Sequence, residues 1–324
     1  MKPCWSERMR RPLAVFTIAA VGASTLLGGC VVNEATGESR LSLAYMSREQ
    51  QIALGAEAQP ALTEEYGGKT PSAPVQAYVT EIGAKLAKHT EADNPSLPWE
   101  FTLLDSPVIN AFALPGGKVF MSRGLAEKMS NEAQLAGVLG HEIGHVTAEH
   151  VAERVQAATG ASVLAQLLSI AAGAGESAAL QQLTDVVVGY GGQGYLLKFG
   201  RDQELEADAL GMRYMARAGY DPVGQRQVMQ ILAKAAEGPR PPEFFSTHPN
   251  PESRIAQIDD LLATTYADIT GKKSHGLFAD RYKKRFLDPV SKLPPAQASS
   301  GRVGLAPEAW CAICREHAIA SAAP

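Results

Sequence analysis

The stretch AGVLGHEIGHVTAE, residues 136–149, carries two histidines four positions apart, His141 and His145. In a helix this spacing places both imidazoles one turn apart on the same face. Two imidazoles in this arrangement can bind one metal ion, and Glu142 then lies beside the ion, where it can act as a base toward a bound water. The stretch therefore predicts a metal-binding helix.

The residues around the two histidines favour a helix in the protein core. Ser130 or Asn131 can cap its start, and Glu132 adds an acid to the first turn, where the helix dipole favours negative charge. Apolar residues surround the histidines: Val138, Leu139, Ile143 and Val146. The alternative is a buried helix whose two histidines make structural hydrogen bonds, because a zinc site needs at least one further protein ligand.

A second candidate element, residues 197–214, reads LKFGRDQELEADALGMRY and is also predicted to be helical. Glu204 and Asp208 lie one turn apart on one face, and Glu206 is rotated away from them. When a carboxylate ligand is followed by an acid one turn later, the second acid can hydrogen-bond a ligating imidazole and fix its tautomer. A solvated acidic helix face would have the same sequence. The run therefore indicates a metal site only in combination with the histidine pair.

Two short strands are predicted between residues 99 and 121. Residues 99–104 alternate in polarity, and a turn at Pro115-Gly116-Gly117 leads into the strand-like residues 118–121. A hairpin here would offer a free edge that pairs with any extended peptide through main-chain hydrogen bonds. The residues expected at this edge are Asn110, Ala111, Phe112 and Ala113. An ordinary hairpin that packs on the histidine helix is the alternative.

The first 29 residues resemble a bacterial lipoprotein signal peptide. Four basic residues precede a short apolar run, which ends in Leu27-Gly28-Gly29-Cys30. We expect cleavage before Cys30 and lipidation of its thiol, with residues 30–46 as a lipidated tether. Val31, in place of Asp, suggests the outer membrane, facing the periplasm. An uncleaved N-terminal anchor is the alternative, although the apolar run is short for a membrane span.

The composition is that of a globular domain with appendages. The chain has 324 residues, is 45% hydrophobic and carries a formal net charge of -4, which gives no indication of nucleic-acid binding. We expect the main domain at residues 47–264. Residues 265–324 are basic and then rich in Pro and Ala, and they are expected to form a partly disordered tail with a local disulfide between Cys311 and Cys314.

Four stretches together resemble the zinc metallopeptidases of family M48, which include the CAAX prenyl endopeptidases, HtpX and the BepA-like proteases. They are NAFALPGG at 110–117, HEIGH at 141–145, FGRDQELEADALG at 199–211 and AGYDP at 218–222, and the resemblance spans about residues 45–262. It implies an α+β, mostly helical, zincin-like (gluzincin) domain with a small β-sheet. It also implies one zinc ion per chain.

The resemblance assigns roles to individual residues. Zinc would be held by His141, His145 and Glu204, with Glu142 as the catalytic residue and Asp208 in support of a ligand. Family members usually have Ser-Arg before the Glu block, where this chain has Gly-Arg, a departure that does not touch a ligand.

The resemblance also places a His-Pro turn near the active site, within the stretch FFSTHPNPESR at 244–254. His248 could then gate the zinc or donate to the oxyanion, and Arg254 could assist as a fixed cation. The alternative is a turn histidine with a structural hydrogen bond.

The metal-binding motifs and the family resemblance predict a zinc-dependent endopeptidase. The resemblance and the expected location imply that its substrates are misfolded or misassembled proteins of the cell envelope. A membrane-tethered chaperone or assembly factor with a gated, low-activity zinc site is the alternative from another class. A zinc hydrolase of non-peptide substrates is a weaker third reading, because the predicted edge strand favours peptides.

Overall fold

The computed structural model of the chain describes residues 30–41, 46–91, 94–155, 199–238, 242–249 and 251–297. The predicted signal peptide (1–29) and the end of the predicted tail, with Cys311 and Cys314, lie outside these residues. Within the described ranges, no helix combines the length and the apolar character needed to cross a bilayer.

The described residues form a mostly helical fold with a small sheet, as predicted. The strands are β1 (Cys30–Val32), β2 (Ser39–Leu41), β3 (Glu100–Leu104), β4 (Ala111–Leu114) and β5 (Lys118–Ser122). The helices are α1 (Arg48–Glu65), α2 (Ala73–Ala87), α3 (Arg123–Ala126), α4 (Glu132–Thr147), α5 (Arg201–Arg217), α6 (Val223–Ala236), α7 (Phe244–Thr247), α8 (Pro251–Ala263), α9 (Ala279–Tyr282) and α10 (Asp288–Val290). A 3₁₀ turn spans Asn94–Ser96, and a π-helical turn spans Lys283–Leu287.

Helix α4 is the centre of the core, and every one of its residues is buried. Of the two predicted caps, Asn131 is the N-cap, and its side chain accepts a hydrogen bond from the backbone N–H of Gln134 at 3.0 Å. Glu132 accepts a hydrogen bond from the hydroxyl of Tyr220 at 2.9 Å and pairs with Arg281. These contacts fix the start of the helix that carries both histidines.

The three-stranded sheet has the order β3-β5-β4, with β3 parallel and β4 antiparallel to β5. The β4–β5 hairpin turns through Gly116 and Gly117, whose φ angles of 73° and 91° favour glycine. Phe112 pairs with Phe120 across the hairpin, and their rings stack with centroids 4.6 Å apart. In the described residues β4 is an outer strand of this sheet, which agrees with the predicted hairpin.

Helices α4 and α5 approach each other backbone to backbone. A Cβ atom on Gly144 would lie 2.8 Å from the carbonyl oxygen of Ala207, and one on Gly211 would lie 2.8 Å from the backbone nitrogen of His141. Real Cβ atoms essentially never come so close to rigid backbone. The small residues therefore let α5 bring its side chains next to the histidines of α4.

We expect Gly211→Ala to lower the free energy of unfolding by about 1–3 kcal/mol, because the new methyl group must push the helices apart. Urea unfolding measures the loss. The control is Gly200→Ala at the start of α5, where an added Cβ makes only an ordinary contact at 3.9 Å. Equal stability of the Gly211→Ala variant and the unsubstituted chain would contradict the close packing.

The packed core extends beyond residue 264, the predicted end of the domain. Tyr282, Phe286 and Val290 are buried in the main core, and the hydroxyl of Tyr282 donates to the carbonyl of Ala126 at 2.7 Å. Their spacing of four residues forms an apolar face that the neighbouring basic residues obscure in the sequence. The basic half of the predicted tail, as far as residue 297, therefore packs against the domain.

The predicted tether at residues 30–46 also contacts the domain. Strands β1 and β2 form a short antiparallel pair, and the residues between them meet the end of α4. The side chain of Asn33 donates to the carbonyl of Thr147 at 3.0 Å, and Ala35 is buried in the main core. Through these contacts the segment after Cys30 packs against the end of α4, the helix that carries both histidines.

Candidate metal centre

Helix α4 directs His141 and His145 to one buried point, as their spacing predicts. Both side chains are at most 1% exposed, and their Nε2 atoms lie 3.0 Å apart. Helix α5 adds Glu204, whose Oε1 lies 3.3 Å from Nε2 of His145 and whose Oε2 lies 3.7 Å from Nε2 of His141. The close approach of the two helices therefore assembles two imidazoles and one carboxylate.

His248 joins the same cluster. It lies directly after α7 and before Pro249, and a residue before proline is driven out of the helical conformation, which ends the helix here. Its Nδ1 lies 3.2 Å from Nε2 of His141 and 3.0 Å from Oε1 of Glu204. The predicted approach of the His-Pro turn to the other candidate ligands is thus observed.

The donor atoms of His141, His145, Glu204 and His248 fit a zinc ion. All four lie within 4.8 Å of one another. Tetrahedral zinc with bonds of 2.0–2.1 Å spaces neighbouring ligand atoms about 3.3 Å apart, close to the separations given above. Zinc also prefers this kind of donor set, in which two imidazole nitrogens and one carboxylate meet at one point.

The charge of the buried cluster also favours a cation. Glu142, Glu204 and Asp208 are three buried carboxylates, and Arg254 is the buried guanidinium among them. With neutral imidazoles these four groups carry a formal charge of -2, which a divalent cation would neutralise. Burying uncompensated charge is costly, so the charge of the buried cluster, as well as the geometry of its donor atoms, matches a zinc ion.

The pKa shifts of two ligand candidates, His145 and Glu204, suit metal binding. Burial lowers the pKa of His145 well below its usual value, which keeps this imidazole neutral. Burial raises the pKa of Glu204, but His248 and Arg254 outweigh this and hold the pKa well below its usual range. The pKa of His248 shifts the other way: burial lowers it, but Glu204 and Glu142 outweigh burial and raise it, so a metal would have to displace a proton from this imidazole.

Asp208 lies beside His141, as predicted from its place one turn after Glu204. Its Oδ1 is 2.8 Å from Nδ1 of His141, so the carboxylate can keep a proton on Nδ1 and leave Nε2 free to bind a metal. Gln225 donates to the same oxygen at 2.7 Å. Burial raises the pKa of Asp208, but Arg254 and His141 outweigh it and keep the acid ionised.

All three guanidinium nitrogens of Arg254 are directed at acids. Nε and Nη2 donate to the two oxygens of Asp208 at 2.6 and 2.8 Å, and Nη1 lies 2.7 Å from Oε2 of Glu204. This geometry indicates that Arg254 holds Asp208 and Glu204 in place. It favours this role over the predicted role of Arg254 in stabilising an oxyanion.

Glu142 differs from the other acids of the cluster. Its two carboxylate oxygens are buried and have no hydrogen-bond partner among the described residues, and Nε2 of His248 lies 3.6 Å from one of them, Oε1. Burial raises the pKa of Glu142. A carboxylate with a raised pKa and free oxygens is suited to accept a proton from a water molecule.

The predicted edge strand is connected to the segment that carries His248. Ala111, Phe112 and Ala113 lie in β4, and Asn110 precedes them. The side chain of Asn110 donates to Glu243 at 3.0 Å, just before α7. The start of β4 is therefore hydrogen-bonded to the segment that leads to His248.

One further histidine, His150, lies beside the cluster. A continued helix would place His150 on the side opposite His141, but α4 ends at Thr147 and Glu149 has a φ of 61°. This turn brings His150 back to His145, with a distance of 3.0 Å between the two Nδ1 atoms. A helical period does not reveal a left-handed residue, so the sequence carried no signal for this contact.

Two aromatic rings were also missed as parts of the site. Phe199 stacks on His145 with centroids 3.8 Å apart, and Phe244 stacks on His248 with centroids 4.2 Å apart. The rings flank imidazoles of the cluster and limit their rotation.

Comparison with known proteins places the chain in a family. The model of peptidase family M48 matches residues 74–262. The chain is 36% identical over 186 residues to the beta-barrel assembly-enhancing protease of Escherichia coli K12, over 55% of this chain and 37% of that protein. It is 33% identical over 214 residues to the mitochondrial metalloendopeptidase OMA1 of Schizosaccharomyces pombe, over 64% of this chain and 60% of that protein.

A third relative, the mitochondrial metalloendopeptidase OMA1 of Danio rerio, is 31% identical over 241 residues, which cover 70% of this chain and 49% of that protein. The chain spans less than two thirds of the length of these relatives. The family match and the relatives' names support a metalloendopeptidase, and the family is one of zinc enzymes. Since the family model covers more than half of the sequence, the chain belongs to peptidase family M48.

Proposed function

We propose that the chain is a zinc-dependent endopeptidase that hydrolyses peptide bonds of misfolded or misassembled cell-envelope proteins. The observation that carries this proposal is the convergence of His141, His145 and Glu204 beside the free carboxylate of Glu142. When bound, zinc lowers the pKa of a water molecule and polarises the substrate carbonyl. The family match supports the enzyme class but does not extend to the substrate.

The residues around the metal have separate roles in proton transfer and in positioning the ligands. Glu142 accepts the proton of the attacking water and delivers it to the leaving amine. Asp208 keeps the proton of His141 on Nδ1, and Arg254 holds both Asp208 and Glu204 in place. The buried position of the cluster keeps these groups away from bulk solvent, which strengthens their electrostatic interactions.

The outer strand β4 supports a peptide substrate. The backbone N–H of Ser122 donates to the carbonyl of Asn110 at 3.0 Å. In an antiparallel pair the direction of such bonds alternates, so the main-chain groups of Ala111 and Ala113 point away from β5. Residues 111–113 are at most 4% exposed, so the site must open before an extended peptide can reach this edge. Once the edge is uncovered, the peptide can pair with these groups through its own main chain, with little dependence on its sequence.

The proposed location is the bacterial cell envelope. The chain is lipidated at Cys30, and the lipid holds it at the outer membrane. It faces the periplasm, which also contains its substrates. The support is the signal-like sequence that ends at Cys30. The name of the Escherichia coli relative, beta-barrel assembly-enhancing protease, is consistent with this, because such barrels belong to bacterial outer membranes.

The position of His248 supports a site that is closed at rest. A catalytic zinc site keeps one coordination position for water or substrate, whereas four protein ligands close it. With His248 as the fourth ligand, the site must open before Glu142 can act. The position of His248 therefore also supports the second candidate function, a chaperone or assembly factor with a gated site.

Casein cleavage tests the proposed activity. We expect the purified chain to cleave casein, to lose this activity with a chelator, and to regain it with added zinc. Cleavage that a chelator leaves unchanged would contradict a metalloprotease. Binding of casein without cleavage, in a chain that contains zinc, would favour the chaperone.

His248→Ala is expected to increase casein cleavage about tenfold or more, because each 1.4 kcal/mol by which His248 stabilises the closed site lowers the open fraction tenfold. Zinc content should stay near one ion per chain. The control is His275→Ala, since His275 lies outside the cluster and contacts the carbonyl of Ala216. Loss of zinc or of activity in His248→Ala would contradict a gate.

A further inference from the structure

The second ring nitrogen of His145 has a buried partner. Nδ1 of His145 lies 3.0 Å from Nδ1 of His150, and both side chains are at most 1% exposed. On the other side of His150, Nε2 lies 3.0 Å from a carboxylate oxygen of Glu206. Three side chains therefore form a line from the proposed metal ligand to Glu206.

The protons in this line can be placed from chemistry alone. If Nε2 of His145 binds a metal, this nitrogen has no proton and Nδ1 of the same ring must carry one. Nδ1 of His150 must then accept that proton's hydrogen bond, so the proton of His150 lies on Nε2. From there it is donated to Glu206, which accepts hydrogen bonds.

The two candidate histidine ligands of α4 are therefore held in different ways. His141 faces the ionised carboxylate of Asp208, whereas His145 faces an imidazole whose own partner, Glu206, is 30% exposed. The contact depends on the backbone turn at Glu149, whose carboxylate accepts a hydrogen bond from Gln51 at 3.1 Å. Both histidines thus have the hydrogen-bond acceptor that metal-bound imidazoles usually have.

We propose that His150, held by Glu206, is a positioning residue that fixes the tautomer and orientation of His145 for metal binding. This inference rests on the proposed function, since it takes His145 as a zinc ligand. The polar contacts of His150 are to Nδ1 of His145 and to Glu206, and not to the donor atoms of the cluster. It acts through His145, and its removal should weaken zinc binding.

Zinc affinity, measured by competition with a chelator on the purified full chain, tests the role. His150→Leu removes the hydrogen-bond acceptor and should weaken zinc binding about 10- to 100-fold. His150→Gln keeps one acceptor and one donor, and it should restore affinity to within about threefold of the unsubstituted chain. The control, His275→Leu, should leave the affinity unchanged.

The outcomes separate this inference from the proposed function. If His145→Ala loses zinc but a folded His150→Leu binds it as tightly as the unsubstituted chain, the positioning role is wrong and the metal site stands. If His145→Ala keeps its zinc, the proposed site itself fails. A His150→Gln variant that binds as weakly as His150→Leu would also overturn the positioning role.

A second variant, Glu206→Leu, tests the positioning role if His150→Leu does not fold. Glu206→Leu lies at the partly exposed end of the line and frees His150 to take the other tautomer. It should weaken zinc binding several-fold, with Asp202→Leu, an exposed acid on the same helix, as the control. Unchanged affinity in a folded Glu206→Leu would overturn the inference.

Discussion

Glu142→Gln is expected to lower casein cleavage by about 10²- to 10⁴-fold, the range typical for the loss of a general acid–base group. The amide has nearly the shape of the carboxylate but cannot accept the proton of the attacking water. Glu142 makes no hydrogen bond to the donor atoms of the proposed ligands among the described residues. Zinc content should therefore remain at one ion per chain.

The control for this experiment is Glu64→Gln, which makes the same chemical change at an exposed acid on α1. It should cleave casein as the unsubstituted chain does. Activity of Glu142→Gln within a few-fold of that chain would show that Glu142 is not the base, even if zinc is bound. Loss of zinc from Glu142→Gln would instead place this side chain among the ligands.

Glu204→Gln is expected to weaken zinc binding by more than about 100-fold, beyond the range typical for groups that only support a ligand. Glu204 is the carboxylate of the donor set, and an amide neither carries its charge nor binds zinc as strongly. The substitution also removes the negative partner of Nη1 of Arg254. Metal analysis after dialysis measures the loss, and cleavage should disappear with the zinc.

Asp202→Asn is the matched control, since it neutralises an exposed acid in the first turn of the same helix. It should keep both zinc and activity. A Glu204→Gln variant that retains one tightly bound zinc would contradict the assignment of Glu204 as a ligand. The two variants together separate the ligand from the base, because only Glu142→Gln should keep its zinc without activity.

The sequence predicted those parts of the site that depend on a regular helical period. His141 and His145 share a face because α4 is a regular helix, and Glu204 and Asp208 share a face of α5 for the same reason. The hairpin of β4 and β5 was also predictable, because two consecutive glycines mark its turn. The mostly helical class with a small sheet was implied by the family resemblance.

Other features depend on contacts that no local pattern specifies. The parallel pairing of β3 with β5 joins strands that are not adjacent in sequence. The return of His150 to His145 depends on one left-handed residue, Glu149. Arg254 was predicted near the site, but its engagement with two acids follows only from the packing of α8 against α5.

We infer that His141, His145 and Glu204 hold one zinc ion. An anomalous difference map locates this ion in crystals of the zinc-loaded chain measured on both sides of the zinc absorption edge. We predict one peak about 2.0–2.1 Å from Nε2 of each histidine and about 2.0–2.2 Å from a carboxylate oxygen of Glu204. A folded, zinc-loaded chain with its peak elsewhere, or with no peak, would show that these three residues are not the zinc ligands.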